Sequence, residues 1–434
     1  MSAAFESESL SGVLDPHRVI FHPHSFADDA GRLFRLGGQL FRGIKPSHAP
    51  FFARLFEDAE IERLVQLGLL IETEQTDLKL EGYPMVLSHR EVPFVSYPNE
   101  WCAPMLKDAA LTIVDLAIEL SAAGLTLKDA HPWNVLFDFS KPVYVDFTSI
   151  APQTNSHDWC AYDEFCRFCF YPLILMCNGQ ERIARALLPE YRGVLRSELL
   201  AASGSIAPSF ILSKLFRRVS KSTSALFRRG QRSQLSVLKE AKRSLEKLSW
   251  KSDNVAHEKL SSRNAESITH REIVTRVLSE LRPADVLDFS VGESWAADTA
   301  RLGAKVISAT PNSARASENY RLARQEGLSI LPLILDFVKP TPSVGYRDHY
   351  SIAADQRLKC ELVLALGLAR RLIEENHFNF DLIAEGLASF CTSRALVDFR
   401  GSSAEVDQFI EALLARFTRV RKVLGDPTIL VCEK

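Results

Sequence analysis

Residues 284–295 read ADVLDFSVGESW. A short apolar run ends on Asp288 and breaks at once into a polar turn holding Gly292. Before it lies the helical pattern REIVTRVLSEL, closed by Pro283, and after it comes the short helix SWAADTARLG. The strand-like AKVISA, the helical ARASENYRLARQEG and the strand-like ILPLILDF follow. Next comes ELVLALGLARRL, and ALVDF and TILVCEK supply late strands. Short apolar runs alternating with amphipathic helices are βαβ units, so 270–434 is expected to form a mostly parallel sheet covered by helices on both faces. In such a sheet ligands sit off the carboxyl ends of the strands, near the point where strand order reverses. The turn after Asp288 is therefore the centre of the C-terminal region.

This layout resembles a class I S-adenosylmethionine (AdoMet)-dependent methyltransferase domain of Rossmann-like type. Such domains carry an acid at the first strand end, alternate glycines in the turn, and a second acid at the next strand end for the ribose hydroxyls. Asp288 and Gly292 match, whereas Ser290 and Ser294 stand at expected glycine positions. A serine Cβ disfavours positive φ, which strains the usual loop path. After AKVISA comes Thr310-Pro311-Asn312, whose hydroxyl lacks the paired acceptors of a carboxylate. Asp336, ending the third strand, is placed to meet an adenine amino group. Asp288, Ser290, Gly292, Thr310 and Asp336 are the candidate cofactor residues, and no catalytic residue is assigned. The residues leave open both cofactor binding and a sheet that merely folds.

The N-terminal region, 1–178, mixes short strands, helices and aromatics into an α+β texture. GRLFRLGGQLFRGI (31–44) sets Gly37-Gly38 between two alternating runs and predicts a β-hairpin. Met85 to Tyr97 reads as one or two strands. Pro104 opens a helix whose Leu106, Ala109, Ala110, Ile113, Leu116, Ala117 and Leu120 share one face, ended near Gly124. Asp129, Asn134 and Asp146 then form D-x₄-N followed by a short hairpin and V-D-F. That is the spacing of a kinase catalytic loop and metal-binding aspartate, with one Asp as base and the Asn and second Asp on magnesium. No glycine-rich phosphate loop precedes it, and Arg42 and Lys45 are the nearest stand-ins for the usual lysine. An active Mg-ATP phosphotransferase and a lobe kept for binding are both compatible with these residues.

Residues 179–269 read as a helical, basic connector. Twelve lysines and arginines from Lys214 to Lys251 face only Glu240 and Glu246, with leucines recurring among them. A solvated helical connector is expected rather than a nucleic-acid surface, because stacking aromatics are few and no nucleic-acid motif appears. His157, Cys160, Cys166, Cys169 and Cys177 lack the paired spacing of structural zinc, and buried thiols on a core helix are expected instead. No nucleophile-elbow sequence marks a hydrolase.

The bulk numbers bound the rest. With 434 residues the chain is too long for one ordinary core. Its 46% hydrophobic and 24% charged residues are globular proportions, and a net charge of −2 favours no polyanionic partner. The N-terminal stretch has no basic start and no apolar segment of the secretory kind, the longest apolar runs are too short to span a bilayer, and the eight cysteines are sparse. A cytoplasmic protein with reduced thiols is expected.

Several stretches together resemble the NoeA family of rhizobial nodulation proteins and related bacterial class I methyltransferase-like proteins. They are VPFVSYPNEWCAPMLKDAAL (92–111), LTLKDAHPWNVLFDFSKPVYVDFTSI (125–150), LFRRG (226–230), VLDFSVGES (286–294), GLSILPLILDFVKPTPSVGYRD (327–348) and ELVLALGLARRL (361–372). The resemblance implies a kinase-like portion joined to a methyltransferase-like domain, a role in symbiotic nodulation, and a small-molecule or oligosaccharide acceptor. It carries Asp288, Gly292 and Asp336 over to the cofactor site. Relatives commonly have paired histidines where this chain has Arg370-Arg371.

Overall fold

The structure is a computed structural model. It describes residues 13–15, 19–22, 25, 28–154, 159–203, 233–250, 265–292, 294–348 and 350–434. His157 and most of the basic stretch 214–251, LFRRG included, lie outside the described residues. The chain divides into two compact units: 1–93 with 106–136 and 142–250, and 94–105 with 137–141 and 251–434.

In the first unit the early strands are β1 (Val13–Leu14), β2 (Ile20–Phe21), β3 (Gly31–Leu36), β4 (Gln39–Ile44), β5 (Thr73–Thr76), β6 (Lys79–Leu80) and β7 (Met85–His89). Five of them form an antiparallel sheet in the order β2-β3-β4-β7-β5. The expected hairpin is β3/β4, turning through Gly37 and Gly38 at φ +58° and +84°, the left-handed pair a two-residue turn requires. Helices Ala49–Glu57 and Glu60–Gln66 fill the connection from β4 to β5. The run from Met85 gives one strand, which stops at His89. Pro93 and Pro98 lack the N–H groups a further ladder needs.

Helix Ala103–Ala122 buries every position of the expected apolar face, and Gly124 follows at φ +74°. Strands β8 (Leu125–Leu127), β9 (Val135–Asp138), β10 (Lys141–Tyr144) and β11 (Ile150–Pro152) pair as β8/β11 and β9/β10. Cys166 and Cys169 are buried free thiols in the helical stretch 162–177, and burial pushes the Cys166 thiol up to about 12.

The second unit holds β12 (Asp285–Asp288), β13 (Lys305–Thr310), β14 (Ile330–Ile334), β15 (Cys360–Ala365), β16 (Cys391–Asp398), β17 (Arg419–Val423) and β18 (Asp426–Glu433). They form one sheet in the order β14-β13-β12-β15-β16-β18-β17. Pairing is parallel from β14 through β16, and β18 enters antiparallel between β16 and β17. Strand order thus reverses between β12 and β15. One face packs Val286, Val306, Leu362, Leu364 and Val431 against helices Ala265–Leu281, Ala296–Arg301 and Ser313–Glu326. Near-continuous burial of the central strands is what a parallel sheet covered on both sides demands. No helix among the described residues is long and apolar enough to cross a membrane.

Candidate functional site

Asp288, Thr310 and Asp336 lie at or just beyond the carboxyl ends of β12, β13 and β14, three adjacent parallel strands. Asp288 is buried, and one carboxylate oxygen takes the Ser290 N–H at 2.9 Å. Burial pushes its carboxyl above the usual range, against the opposing pull of the Ser290 hydroxyl, the Arg315 charge and the Trp295 N–H. This acid is committed to holding its own turn. The turn is also zipped onto β15: Phe289 and Val291 donate N–H bonds to Leu364 and Leu366 at 2.8 Å each. Leu366 N–H in turn donates to the Ser290 hydroxyl at 3.2 Å. Ser290 therefore serves the strand edge and is itself buried. Gly292 follows at φ +86°, with nothing within 4 Å of where a Cβ would stand. At that φ a glycine is favoured.

At the next strand end Thr310 is buried, and its hydroxyl accepts the Asn312 N–H at 3.2 Å. Asn312 caps helix Ser313–Glu326 by accepting from Ala314 and Arg315. No carboxylate stands on β13 or in the three residues that follow it. Asp336 is half-buried and spends one oxygen on the Val338 N–H at 3.0 Å. Against an AdoMet-type cofactor, the open Gly292 turn and the Asp336 carboxylate fit. The ribose position offers only a hydroxyl.

A cleft of about 230 Å³ opens beside this turn, over the ends of β15 and β16, and is lined by Val291, Gly367, Arg370, Arg371, Asp398 and Arg400 among others. Burial raises the Asp398 carboxyl above its usual range, and Asp398 accepts the Gly367 N–H at 2.6 Å. Gly367 has φ +71°, and a Cβ there would stand 2.9 Å from the Val291 carbonyl. Only glycine lets β15 turn this close to the loop after β12. These cleft residues were not site candidates by sequence, except that Arg370-Arg371 stood out as a departure from relatives.

In the first unit, Asp129, Asn134 and Asp146 gather around β9 and β10. The Asn134 amide donates to the Tyr144 hydroxyl at 3.2 Å, and that hydroxyl donates to the Asp129 carbonyl at 2.9 Å. Asp129 is half-buried, and its carboxylate accepts no hydrogen bond among the described residues. Burial, followed by the charges of Asp146 and Glu164, pushes its carboxyl upward. Asp146 accepts the Thr148 hydroxyl at 2.9 Å and lies 3.4 Å from the Arg42 guanidinium. Arg42, from β4, is buried, ion-paired with Asp28 and bonded to Thr148 at 2.6 Å. Lys45 instead points to the Asp28 and Asp29 carbonyls. His89, at the end of β7, was missed by sequence reading. Its Nδ1 bonds Thr73 at 2.9 Å, and burial and Arg42 depress it to about 3. Among the described residues no cluster of three His, Cys, Asp or Glu can hold a metal, so a cation here would rest on Asp146 and Asn134.

The sheet's strand order and pairing define a methyltransferase-like fold. The chain is 29% identical over 180 residues to Nodulation protein NoeA of Rhizobium meliloti (strain 1021), covering 40% of this chain and 37% of that one. The match thus spans little more than a third of the relative's length. No family model matches. Among solved structures, the T. thermophilus 16S rRNA N2 G1207 methyltransferase RsmC, in complex with AdoMet and guanosine, is 12% identical with a TM-score of 0.27, over 40% of this chain and 44% of that one. A SAM-dependent methyltransferase from Agrobacterium tumefaciens is 15% identical with a TM-score of 0.25, over 39% and 62%. The kinase domain of Mycobacterium tuberculosis PknI is 15% identical with a TM-score of 0.28, over 50% and 90%. The fold assignment rests on strand order and pairing, not on these overlaps.

Proposed function

We propose that the second unit binds AdoMet along the carboxyl edge of its sheet and transfers the methyl group to a small-molecule or oligosaccharide acceptor. One observation carries this reading: Asp288, Thr310 and Asp336 follow one another along three adjacent parallel strand ends, beside the switch point where open α/β sheets take ligands. Gly292 would let backbone approach the ligand, Thr310 would meet a ribose hydroxyl, and Asp336 would accept from the adenine amino group. Asp288 would hold the turn rather than touch the cofactor. The bound cofactor supplies an electrophilic methyl group, and the chain's own part is to orient it. The likeness to NoeA supports a part in nodulation for the product. Calorimetric titration with AdoMet is expected to give saturable heat that Asp336→Ala weakens. No saturation at millimolar ligand would overturn the reading.

A second reading is favoured by the first unit: a Mg-ATP-dependent phosphotransferase site. Its support is a half-buried, uncommitted Asp129 with a raised pKa near Asp146, which in turn lies 3.4 Å from the β4 cation Arg42. An open carboxylate with an upward-shifted pKa is what a general base needs. Here Asp129 would take the acceptor proton, Asn134 and Asp146 would hold the cation, and Arg42 would stand where a lysine usually contacts phosphates. A thermal shift with ATP and magnesium, abolished by Asp146→Ala, is the expected result. Equal shifts in both proteins would count against it.

A further inference from the structure

In the turn after β12 the backbone N–H groups of residues 289–291 are already spent. Phe289 and Val291 N–H groups go to β15, and the Ser290 N–H goes to Asp288. A carboxylate arriving there must find other donors. The adjoining cleft holds them. Arg370 and Arg371, on helix Leu368–Asn376, pair with Glu374 and Glu375 through Nε alone, at 2.7 and 2.9 Å. Both exposed i,i+4 pairs are weak, and they leave the paired Nη donors of each guanidinium available. Arg400 approaches from beyond β16 and makes no hydrogen bond among the described residues. Asp398, the one half-buried carboxylate of the cleft, takes the Gly367 N–H but no side-chain hydrogen bond.

Glu374 and Glu375 also line the cleft, each held by one arginine Nε; the remaining guanidinium donors at the rim and the Asp398 carboxylate beneath match a zwitterion, a carboxylate outward and an ammonium inward. The position also fits. Neighbouring strands are about 4.8 Å apart, so from the end of β14, just beyond which Asp336 lies, the cleft over β15 and β16 is roughly 14 to 19 Å away, comparable with the reach of an adenosyl group bearing an amino-acid tail and hydrogen-bonded at both ends. We propose that this cleft binds the α-amino-acid end of the ligand through side chains, Arg370, Arg371 and Arg400 taking the carboxylate and Asp398 the ammonium, in place of a glycine-rich backbone cradle. This rests on the AdoMet reading above.

The test compares two probes on the full chain by calorimetry: S-adenosylhomocysteine, which keeps the amino-acid end, and 5′-methylthioadenosine, which lacks it. Wild type is expected to favour the first by at least tenfold. Arg371→Ala with Arg400→Ala, and separately Asp398→Asn, which keeps an acceptor for Gly367, are expected to remove that preference and leave 5′-methylthioadenosine binding unchanged. Equal binding of the two probes by wild type would overturn the inference and leave the AdoMet reading standing. So would variants that weaken both probes alike or neither. Failure of wild type to bind either probe would overturn both. Unchanged melting temperatures show that the variants are folded.

Discussion

Asp288 ends a short strand, Asp129 follows one, and both have pKa values raised by burial, yet they do opposite work. Asp288 is saturated by its own turn, whereas the Asp129 carboxylate is uncommitted. Sequence could place both acids at strand ends, but it could not show which of them was already spent, because that depends on neighbours such as Trp295 and Arg315. Asp288→Ala should therefore destabilise the second unit by about 1–3 kcal/mol, the cost of leaving buried N–H groups unpaired. Denaturant midpoints with unchanged slope check this; a neutral result would contradict the saturated geometry. His89 gives a second residue-scale prediction. Its pKa falls from 6.5 to about 3 in the folded protein. Between those values the unfolded chain binds a proton that the folded chain refuses, so this contribution is present above pH 6.5 and is lost as pH falls toward about 3. His89→Gln should flatten the acid side of the stability curve relative to wild type, measured by urea midpoints across that window. Parallel curves would contradict it.

At the scale of elements, periodicity made much of the second unit legible. The helix expected in ARASENYRLARQEG is Ser313–Glu326, and the apolar runs ADVLDF, AKVISA and ILPLILDF hold β12, β13 and β14. The edge strand β17 was not legible, because RVRKV places three cations among two valines. Charge on an edge strand blunts pairing with other chains and hides the strand signal together. Nor did the sequence show that 94–105 counts with the second unit. A buried ion pair joins that segment to the rest of the second unit: Arg357 bonds Glu100, which is fully buried, and its guanidinium lies 4.3 Å from the Tyr97 ring. Glu100 also accepts the Tyr97 N–H at 2.9 Å, and Tyr97 Oη accepts the Ile352 N–H at 3.0 Å. Removing one partner of such a pair strands a buried charge, so Glu100→Ala should cost about 3–5 kcal/mol. Glu100→Met with Arg357→Leu should cost less than either single change, and a double-mutant cycle by chemical denaturation reads the difference. Additive losses would show that the two side chains do not act as a pair. A smaller effect belongs to the Asn312 cap: Asn312→Ala should cost about 1 kcal/mol, read as a shift in denaturant midpoint.

For the whole molecule the question is which unit answers to which ligand. The two readings assign them separately: adenosyl ligands to the carboxyl edge of the seven-stranded sheet, and ATP with magnesium to the residues around Asp129 and Asp146. A ligand that binds only the folded form stabilises it by mass action, by about 2.7 kcal/mol at a hundredfold excess over its Kd. That stabilisation must appear where the ligand binds, in amides that open together with its site. Hydrogen exchange resolves this segment by segment. S-adenosylhomocysteine is expected to slow exchange at 289–292 and 366–370, in the turn after β12 and the helix start after β15. ATP with magnesium is expected to slow it at 28–45 and 129–148. The slowing should approach a hundredfold for amides that exchange only when the unit unfolds, since each 1.4 kcal/mol is a factor of ten. Protection by the adenosyl ligand in the first unit alone would remove the carboxyl-edge assignment, because that surface would then be neither contacted nor stabilised. Protection by ATP in the second unit alone would assign the nucleotide to the doubly wound sheet and leave Asp129 a strand-end acid with no phosphoryl chemistry to perform.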